Sequence, residues 1–215
     1  MKFDIAVVGG GMVGASFALK LAQAGLSVVL LEKHPAKAVS KDDSFDLRIS
    51  AINRRSETWL RELGAWQLMH PERICVYQQL RAFEQEQPPL DFTAAEIAEP
   101  YLGHMVENNQ IQAALWQQFP TTLTTLCPAT VNSIQHHPDF VSLKTEEHGE
   151  IIAKLVIGAD GANSQIRQLA GIGSNGWQYQ QACMLIHIQT AYPHLEMTWQ
   201  QFTEQGPRAY LPLPG

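Results

Sequence analysis

One stretch near the start of the chain limits its fold more than any other. Ile5-Ala6-Val7-Val8 runs without a polar break into Gly9-Gly10-Gly11-Met12-Val13-Gly14. A short apolar run stopped by glycine is the pattern of a strand buried on both faces. Gly9, Gly11 and Gly14 have the G-x-G-x-x-G spacing, in which the first glycine allows a tight turn, the second lets the backbone approach a pyrophosphate, and the third lets helix and strand pack closely. Ala15, Ala18, Leu19 and Ala22 then recur at helical spacing, and Gly25 is placed to end the helix. A second apolar strand over 26–31 ends at Glu32, eighteen residues past Gly14 and close to the spacing of a carboxylate that binds a ribose diol. A glycine motif alone is weak, but strand, turn, helix, strand and acid in this order mark a dinucleotide-binding βαβ unit.

Composition narrows the classes around that unit. At 215 residues, 45% hydrophobic and 17% charged, the chain can bury a sizeable core. A formal charge of −6 with no basic run argues against a nucleic-acid partner. No apolar stretch reaches the length of a membrane span, no charged n-region opens the chain, and no arginine precedes Arg48, so a cytoplasmic placement is expected. Cys75, Cys127 and Cys183 are odd in number and widely spaced, which points to buried thiols and to no metal site.

Along the rest of the chain, 34–46 reads as a polar loop and 53–63 as a helix closed by Gly64. By spacing alone, Arg48 is a surface ion-pair partner of Asp46, although a guanidinium ahead of a helix can also fork onto phosphate oxygens. The stretches 74–83 and 90–92 look extended and serve a sheet other than the first. A helix is expected over 105–119, with Asn108 or Asn109 as its N-cap and Ile111, Leu115 and Phe119 on its apolar face. The region 121–158 reads as a strand meander, and adjacent His136 and His137 point to opposite faces, so they are turn residues and not ligands of one metal. Leu155-Val156-Ile157-Gly158 is another buried strand; it leads into Asp160-Gly161 and a helix capped by Asn163 or Ser164. Asp160 and Gly161 are thereby set at the mouth of the crevice outside the strand ends. From 177 onward, extended segments at 184–189, 196–202 and 208–213 begin an antiparallel sheet with no closing element, which reads as a chain shortened relative to its parent.

These motifs together resemble a family. Gly9-x-Gly11-x-x-Gly14 with Glu32, Asp46-x-Arg48-Ile49-Ser50-Ala51-Ile52, and Gly158-Ala159-Asp160-Gly161-Ala162-Asn163-Ser164-x-x-Arg167 are similar to the class A flavin-dependent aromatic hydroxylases. The stretches 103–109, 177–179, 198–202 and 206–209 look like the ubiquinone-biosynthesis branch of that class. The resemblance implies a Rossmann-like α/β FAD-binding domain of the glutathione-reductase/aromatic-hydroxylase type (1–72 and 98–176) and the start of an antiparallel substrate sheet (73–97 and 177–215). It implies that Gly9, Gly11 and Gly14 cradle the FAD pyrophosphate, that Glu32 holds the adenosine ribose, and that Arg48 sits against the flavin phosphates or an entering nicotinamide. Asp160 and Gly161 would serve both FAD and NAD(P)H, Arg167 would hold their motif in place, and Arg208 and Tyr210 would line a substrate pocket. The implied reaction is an NAD(P)H- and O2-dependent monooxygenation of a polyprenyl benzoquinol ring. A peripheral association with the inner face of the membrane, a ubiquinone-biosynthesis complex and self-association through an open sheet edge are implied as well. The later Gly-Asp-Ala-Ala-His motif of the family does not occur in these residues. Two other readings use the same βαβ unit. One is a nicotinamide-dependent dehydrogenase, for which no second glycine motif or Lys/Tyr pair is visible; the other is a non-catalytic fragment or interaction module.

Overall fold

The computed structural model describes residues 1–84 and 87–214; whatever was expected of Gln85, Glu86 and Gly215 lies outside the described residues. In chain order the elements are β1 (Lys2–Val8), α1 (Met12–Gln23), β2 (Val28–Leu31), β3 (Ile49–Asn53), α2 (Arg54–Glu62), β4 (Cys75–Tyr77), β5 (Gln79–Glu84) and β6 (Leu90–Thr93). They continue with β7 (Gly103–Glu107), α3 (Asn108–Gln117), β8 (Thr124–Leu126), β9 (Val131–His136), β10 (Val141–Thr145), β11 (Gly149–Gly158), α4 (Gln165–Leu169), β12 (Met197–Thr203) and β13 (Gly206–Tyr210).

Three sheets organise them. The largest has the order β8-β2-β1-β11-β10-β9, with β8, β2, β1 and β11 mutually parallel and β10 and β9 antiparallel to them. The apolar run of β1 is used on both faces. Ile5 and Val7 pack with Ala18, Ala22, Val28 and Leu30 under α1, while Ala6 and Val8 pack with Leu143, Ile151, Ala153 and Ile166 on the far side. A third cluster, around Leu19, Leu60, Leu63, Ile111 and Leu115, joins α1, α2 and α3. Each large apolar side chain buried there contributes about 1.5–3 kcal/mol.

The second sheet is β3-β7-β4, all antiparallel; the third is β13-β12-β5-β6. β12 runs parallel to β5, so the third sheet is mixed and not wholly antiparallel as expected. Its chain reaches β12 through a long connection and not a hairpin, so no turn imposes the antiparallel sense.

Several boundaries also differ from expectation. The first helix and its Gly25 stop, at φ +85°, agree, as does α2 with Asn53 accepting the Ser56 N–H (2.8 Å) as N-cap. Met105, however, lies in a strand: β7 is hydrogen-bonded on both sides, to β3 and β4, and α3 begins only at Asn108. The N-cap position is Glu107, with no side-chain cap, because the Asn108 and Asn109 side chains face Ser50 and Asp46 instead. Ser164, one of the two expected caps, accepts the Arg167 N–H (3.0 Å) at the start of α4. The stretch 184–189 forms no strand, and Met184, Ile186 and Ile188 are exposed. The β3 strand, over Ile49–Asn53, was not foreseen, since its five residues lack clear alternation.

Candidate functional site

The carboxyl ends of β1, β2 and β11 meet at the glycine turn. Gly9 has φ +103°, a conformation L-residues rarely adopt, and a Cβ there would lie 2.3 Å from the Ala159 carbonyl oxygen. A Cβ on Gly14 would lie 1.8 Å from the Gly9 oxygen. These two glycines are demanded by protein atoms alone. Gly11 differs: a Cβ there would meet nothing within 4 Å. Gly11 is also the N-cap of α1 and offers no side-chain cap, so the first N–H groups of the helix face open space. Unpaired N–H groups at a positive helix end form an anion site.

The third helix fixes the aim of this turn. Gln112 Nε2 and Trp116 Nε1 both donate to the Gly10 carbonyl, at 2.9 and 2.8 Å. In a trans peptide the next N–H points opposite the carbonyl, so the Gly11 N–H is turned away from α3 and toward the open side. Gly10 itself has no room for a side chain, since a Cβ would lie 2.7 Å from the Trp116 ring. Asn108, Gln112 and Trp116 follow one another at four-residue steps on α3, a mixed polar and aromatic stripe with weaker periodicity than the apolar face beside it.

Glu32 sits at the end of β2 against the same turn. Its carboxylate accepts the N–H groups of Gly10, Lys33 (2.7 Å) and His34 (3.1 Å). A carboxylate has about four acceptor positions, so room remains for a ligand hydroxyl. Arg48 stands across the opening. Together with Gly11, Met12, Asp46, Asn108, Asn109 and Gln112 it lines a cavity of about 320 Å3. The contact between Arg48 and Asp46 runs through the Arg48 backbone N–H (2.8 Å), not through an ion pair; among the described residues the guanidinium has no hydrogen-bond or ion-pair partner.

Asp160 and Gly161 follow β11 beside Gly9. Burial would raise the Asp160 carboxyl, but the Ser164 hydroxyl (2.5 Å) and the Ile166 N–H (3.0 Å) outweigh it and hold the group below its usual range. The motif is therefore braced by Asp160 itself. The Arg167 side chain contributes no hydrogen bond to it, and its Nε is buried without a partner. Gly161 has φ +87° and open space around it. Arg208 and Tyr210 lie on β13 of the third sheet and do not line the cavity at Arg48. Arg208 donates to Gln205 (3.1 Å), and the Tyr210 ring stacks on Trp199 at 3.9 Å. Among the described residues there is no group of three His, Cys, Asp or Glu that could hold a metal, and no helix is long and apolar enough to cross a membrane.

The glycine cradle, uncapped helix and strand-end acid offer the donors, the space and the acceptor that a dinucleotide needs, and comparison with known proteins says what the chain resembles. Residues 2–212 match the family described as FAD binding domain, and the chain belongs to that family. Its cofactor is FAD, and the residues fit one: the space at Gly11 and the spare acceptor on Glu32 suit a pyrophosphate and a ribose.

Among curated relatives, 3-demethoxyubiquinol 3-hydroxylase of Escherichia coli (strain K12) is 46% identical over 98% of this chain and 54% of its own length. Ubiquinone hydroxylase UbiL of Rhodospirillum rubrum is 32% identical over 99% of this chain and 49% of its own. The chain thus spans about half the length of these relatives. Among solved structures, Pseudomonas aeruginosa PqsL in complex with 2-aminobenzoylacetate aligns over all of this chain and 59% of its own, with TM-score 0.72 at 14% identity. The p-nitrophenol 4-monooxygenase PnpA from Pseudomonas putida DLL-E4 aligns over 79% of this chain and 44% of its own, with TM-score 0.65 at 23% identity. At these identities the structures show the fold alone.

Proposed function

We propose that this chain is the FAD-binding part of a monooxygenase that hydroxylates the ring of a polyprenyl benzoquinol in ubiquinone biosynthesis, using O2 and NAD(P)H. The observation that carries the proposal is the 46% identity, over nearly the whole chain, to a 3-demethoxyubiquinol 3-hydroxylase. Bound FAD supplies the redox chemistry and oxygen activation, and the protein supplies binding and orientation. In this reading the N–H groups at Gly11 and the start of α1 hold the pyrophosphate, and Gly9 and Gly14 keep the turn tight enough to present them. Glu32 accepts a ribose hydroxyl, while the Arg48 guanidinium, across the cavity, neutralises phosphate or orients the nicotinamide. Asp160 and Gly161 shape the wall at the end of β11. Arg208 and Tyr210 belong to a substrate-facing sheet of β5, β6, β12 and β13. The expected boundary, with 73–97 and 177–215 apart from 1–72 and 98–176, fails at Arg73 and β4, since β4 pairs with β7 and Arg73 bonds Glu107. A cytoplasmic protein acting at the membrane surface, within a biosynthetic complex, suits a polyprenyl substrate.

The test is an absorbance spectrum of the purified chain after incubation with FAD and desalting, followed by an NADH and NADPH oxidation assay with a demethoxyubiquinol analogue. Retained flavin bands and quinol-stimulated oxidation with a hydroxylated product support the reading. A colourless protein that binds NADH instead would replace it with a dehydrogenase.

A further inference from the structure

The loop 41–48 carries Asp46 and Arg48 to the cavity and has no helix or strand of its own before β3. Besides a contact of His187 Nε2 with the Asp46 carbonyl oxygen (3.2 Å), a buried ion pair from elsewhere in the chain holds it. Arg73, 3% exposed, forks onto Glu107, 0% exposed, through Nε and Nη2, both at 2.8 Å. Its remaining N–H groups go to backbone carbonyls of the loop: Lys41 (3.2 Å) and Asp43 (2.5 Å) from Nη1, and Ser44 (3.3 Å) from Nη2. Glu107 Oε1 accepts the Asp46 N–H at 2.6 Å, and the Phe45 ring lies 4.5 Å from the guanidinium carbon. A guanidinium has five N–H donors, and all five are engaged. Arg73 therefore has no donor left for a ligand, although it borders a second cavity of about 290 Å3 that shares Asp46 and Asn109 with the first.

We propose that Arg73 and Glu107 are positioning residues: a buried latch that fixes loop 41–48 as a preformed wall of the dinucleotide crevice and so presents Arg48 to the ligand. For its effect on affinity the proposal rests on the flavin reading above; for its effect on the loop it does not. The chain of contacts is continuous. Glu107 ends β7 and leads directly into α3, whose Asn108 N–H donates to the Arg48 carbonyl (2.9 Å) and whose Gln112 holds Gly10. Asp46 in turn accepts the Arg48 N–H (2.8 Å) and an Asn109 N–H (3.2 Å). The pair thus ties both sides of the crevice to one strand end. Burying charge is costly, and an apolar or neutral pair of similar volume often preserves a fold equally well, so the pair need not be there for stability.

The test uses the chain itself in three forms: unmodified, Arg73→Met with Glu107→Gln, and Arg73→Lys. The double substitution leaves no uncompensated buried charge and keeps an amide oxygen for the Asp46 N–H. Backbone hydrogen exchange is followed at Asp46 and Arg48, with Val7 and Val29 as internal references, and the FAD dissociation constant is measured by flavin fluorescence. The latch predicts exchange at Asp46 and Arg48 faster by tenfold or more with Val7 and Val29 unchanged, and FAD binding weaker by tenfold or more. Arg73→Lys should not rescue either value, because three donors cannot replace five; full rescue by lysine would reduce the role to bare charge and overturn the latch. Exchange and affinity both within twofold of the unmodified chain would also overturn it, as would faster exchange at Val7 and Val29, which would make the pair a folding element. Faster loop exchange with unchanged FAD affinity would remove the loop from the crevice. If the unmodified chain binds no FAD, the flavin reading falls, and the exchange data alone decide whether the latch exists.

Discussion

The sheet that bears the glycine turn and the sheet that bears Arg208 and Tyr210 are built to different standards. In the first, Ala6, Val7, Val28, Val29 and Leu30 are fully buried, and helices or strands cover both faces. In the second, Thr198 is the one buried residue among the described positions of its four strands, and Leu90, Phe92 and Phe202 are each 45% exposed or more. The first sheet is fixed by sterics that tolerate no added atom at Gly9 or Gly14. The second is held by its backbone ladder, by one aromatic stack, Phe83 to Trp199 to Tyr210, and by the exposed Arg81–Asp91 pair between β5 and β6. A change of one methyl group should therefore be ruinous in the first and modest in the second, and the site's chemistry follows that division.

Gly14→Ala sets the upper end. Its new Cβ would sit 1.8 Å from the Gly9 oxygen, and backbone cannot yield as a side-chain tip can. Overpacking of this kind costs roughly 1–3 kcal/mol or more. A melting temperature lower by several degrees, with loss of FAD retention, is expected in a thermal scan and a desalting assay. Gly11→Ala sharpens the contrast within the same motif. The protein leaves space there, and φ of −67° suits any residue, so stability should change by less than about 1 kcal/mol. FAD affinity should nevertheless fall by about tenfold or more, equivalent to about 1.4 kcal/mol, because the methyl group occupies the pyrophosphate's approach. Equal effects of the two substitutions on melting temperature would break the distinction between a glycine kept for the fold and one kept for the ligand.

On the other sheet, Trp199→Ala removes the centre of the stack. Trp199 lies 3.9 Å from Tyr210 and 5.7 Å from Phe83, centroid to centroid, on a half-exposed surface. Aromatic pairs of this kind contribute about 0.5–1.5 kcal/mol beyond area. A loss near 1 kcal/mol by urea titration is expected, with FAD affinity unchanged. A drop in FAD affinity would show that the two sheets share a site.

The same division decides what could be read from the residues alone. The turn, α1 and Glu32 were legible because strand, glycine spacing and helix are contiguous and their constraints local. The restriction on Gly10 is not legible, because it comes from Trp116, more than a hundred residues away. Arg73 and Glu107 are illegible as a pair for a similar reason: Arg73 belongs to no motif, Glu107 stands in the 103–109 stretch without a partner there, and the two meet only when β4 pairs with β7. Met105 reads as helical in the sequence because apolar residues in a strand paired on both sides give the same short run as the start of a helical face. The strand expected at 184–189 failed because apolar content alone supplies no pairing partner. Arg48 was ambiguous for a physical reason too, since proximity to Asp46 in sequence cannot distinguish a backbone contact from an ion pair.

The smallest effect expected is a difference between two carboxylates, one in each region, on acidification. Asp91 is held low by its hydrogen bonds and charge interaction with Arg81, at 2.6 and 2.9 Å, but both groups are exposed and solvent screens them. Asp160 is opposed by burial and still held low by Ser164 and the N–H groups at the start of α4. For both, the folded pKa lies below the unfolded one, so the stabilisation is present above the unfolded value and is lost as pH falls through the folded value. Melting temperature followed downward from pH 5 should decline less steeply in Asp160→Asn than in the unmodified chain, while Asp91→Asn should leave the slope unchanged. The reverse ranking would mean that the exposed pair on the second sheet carries more electrostatic stability than the braced turn beside Gly9, and the comparison between the two sheets would fail at its electrostatic end.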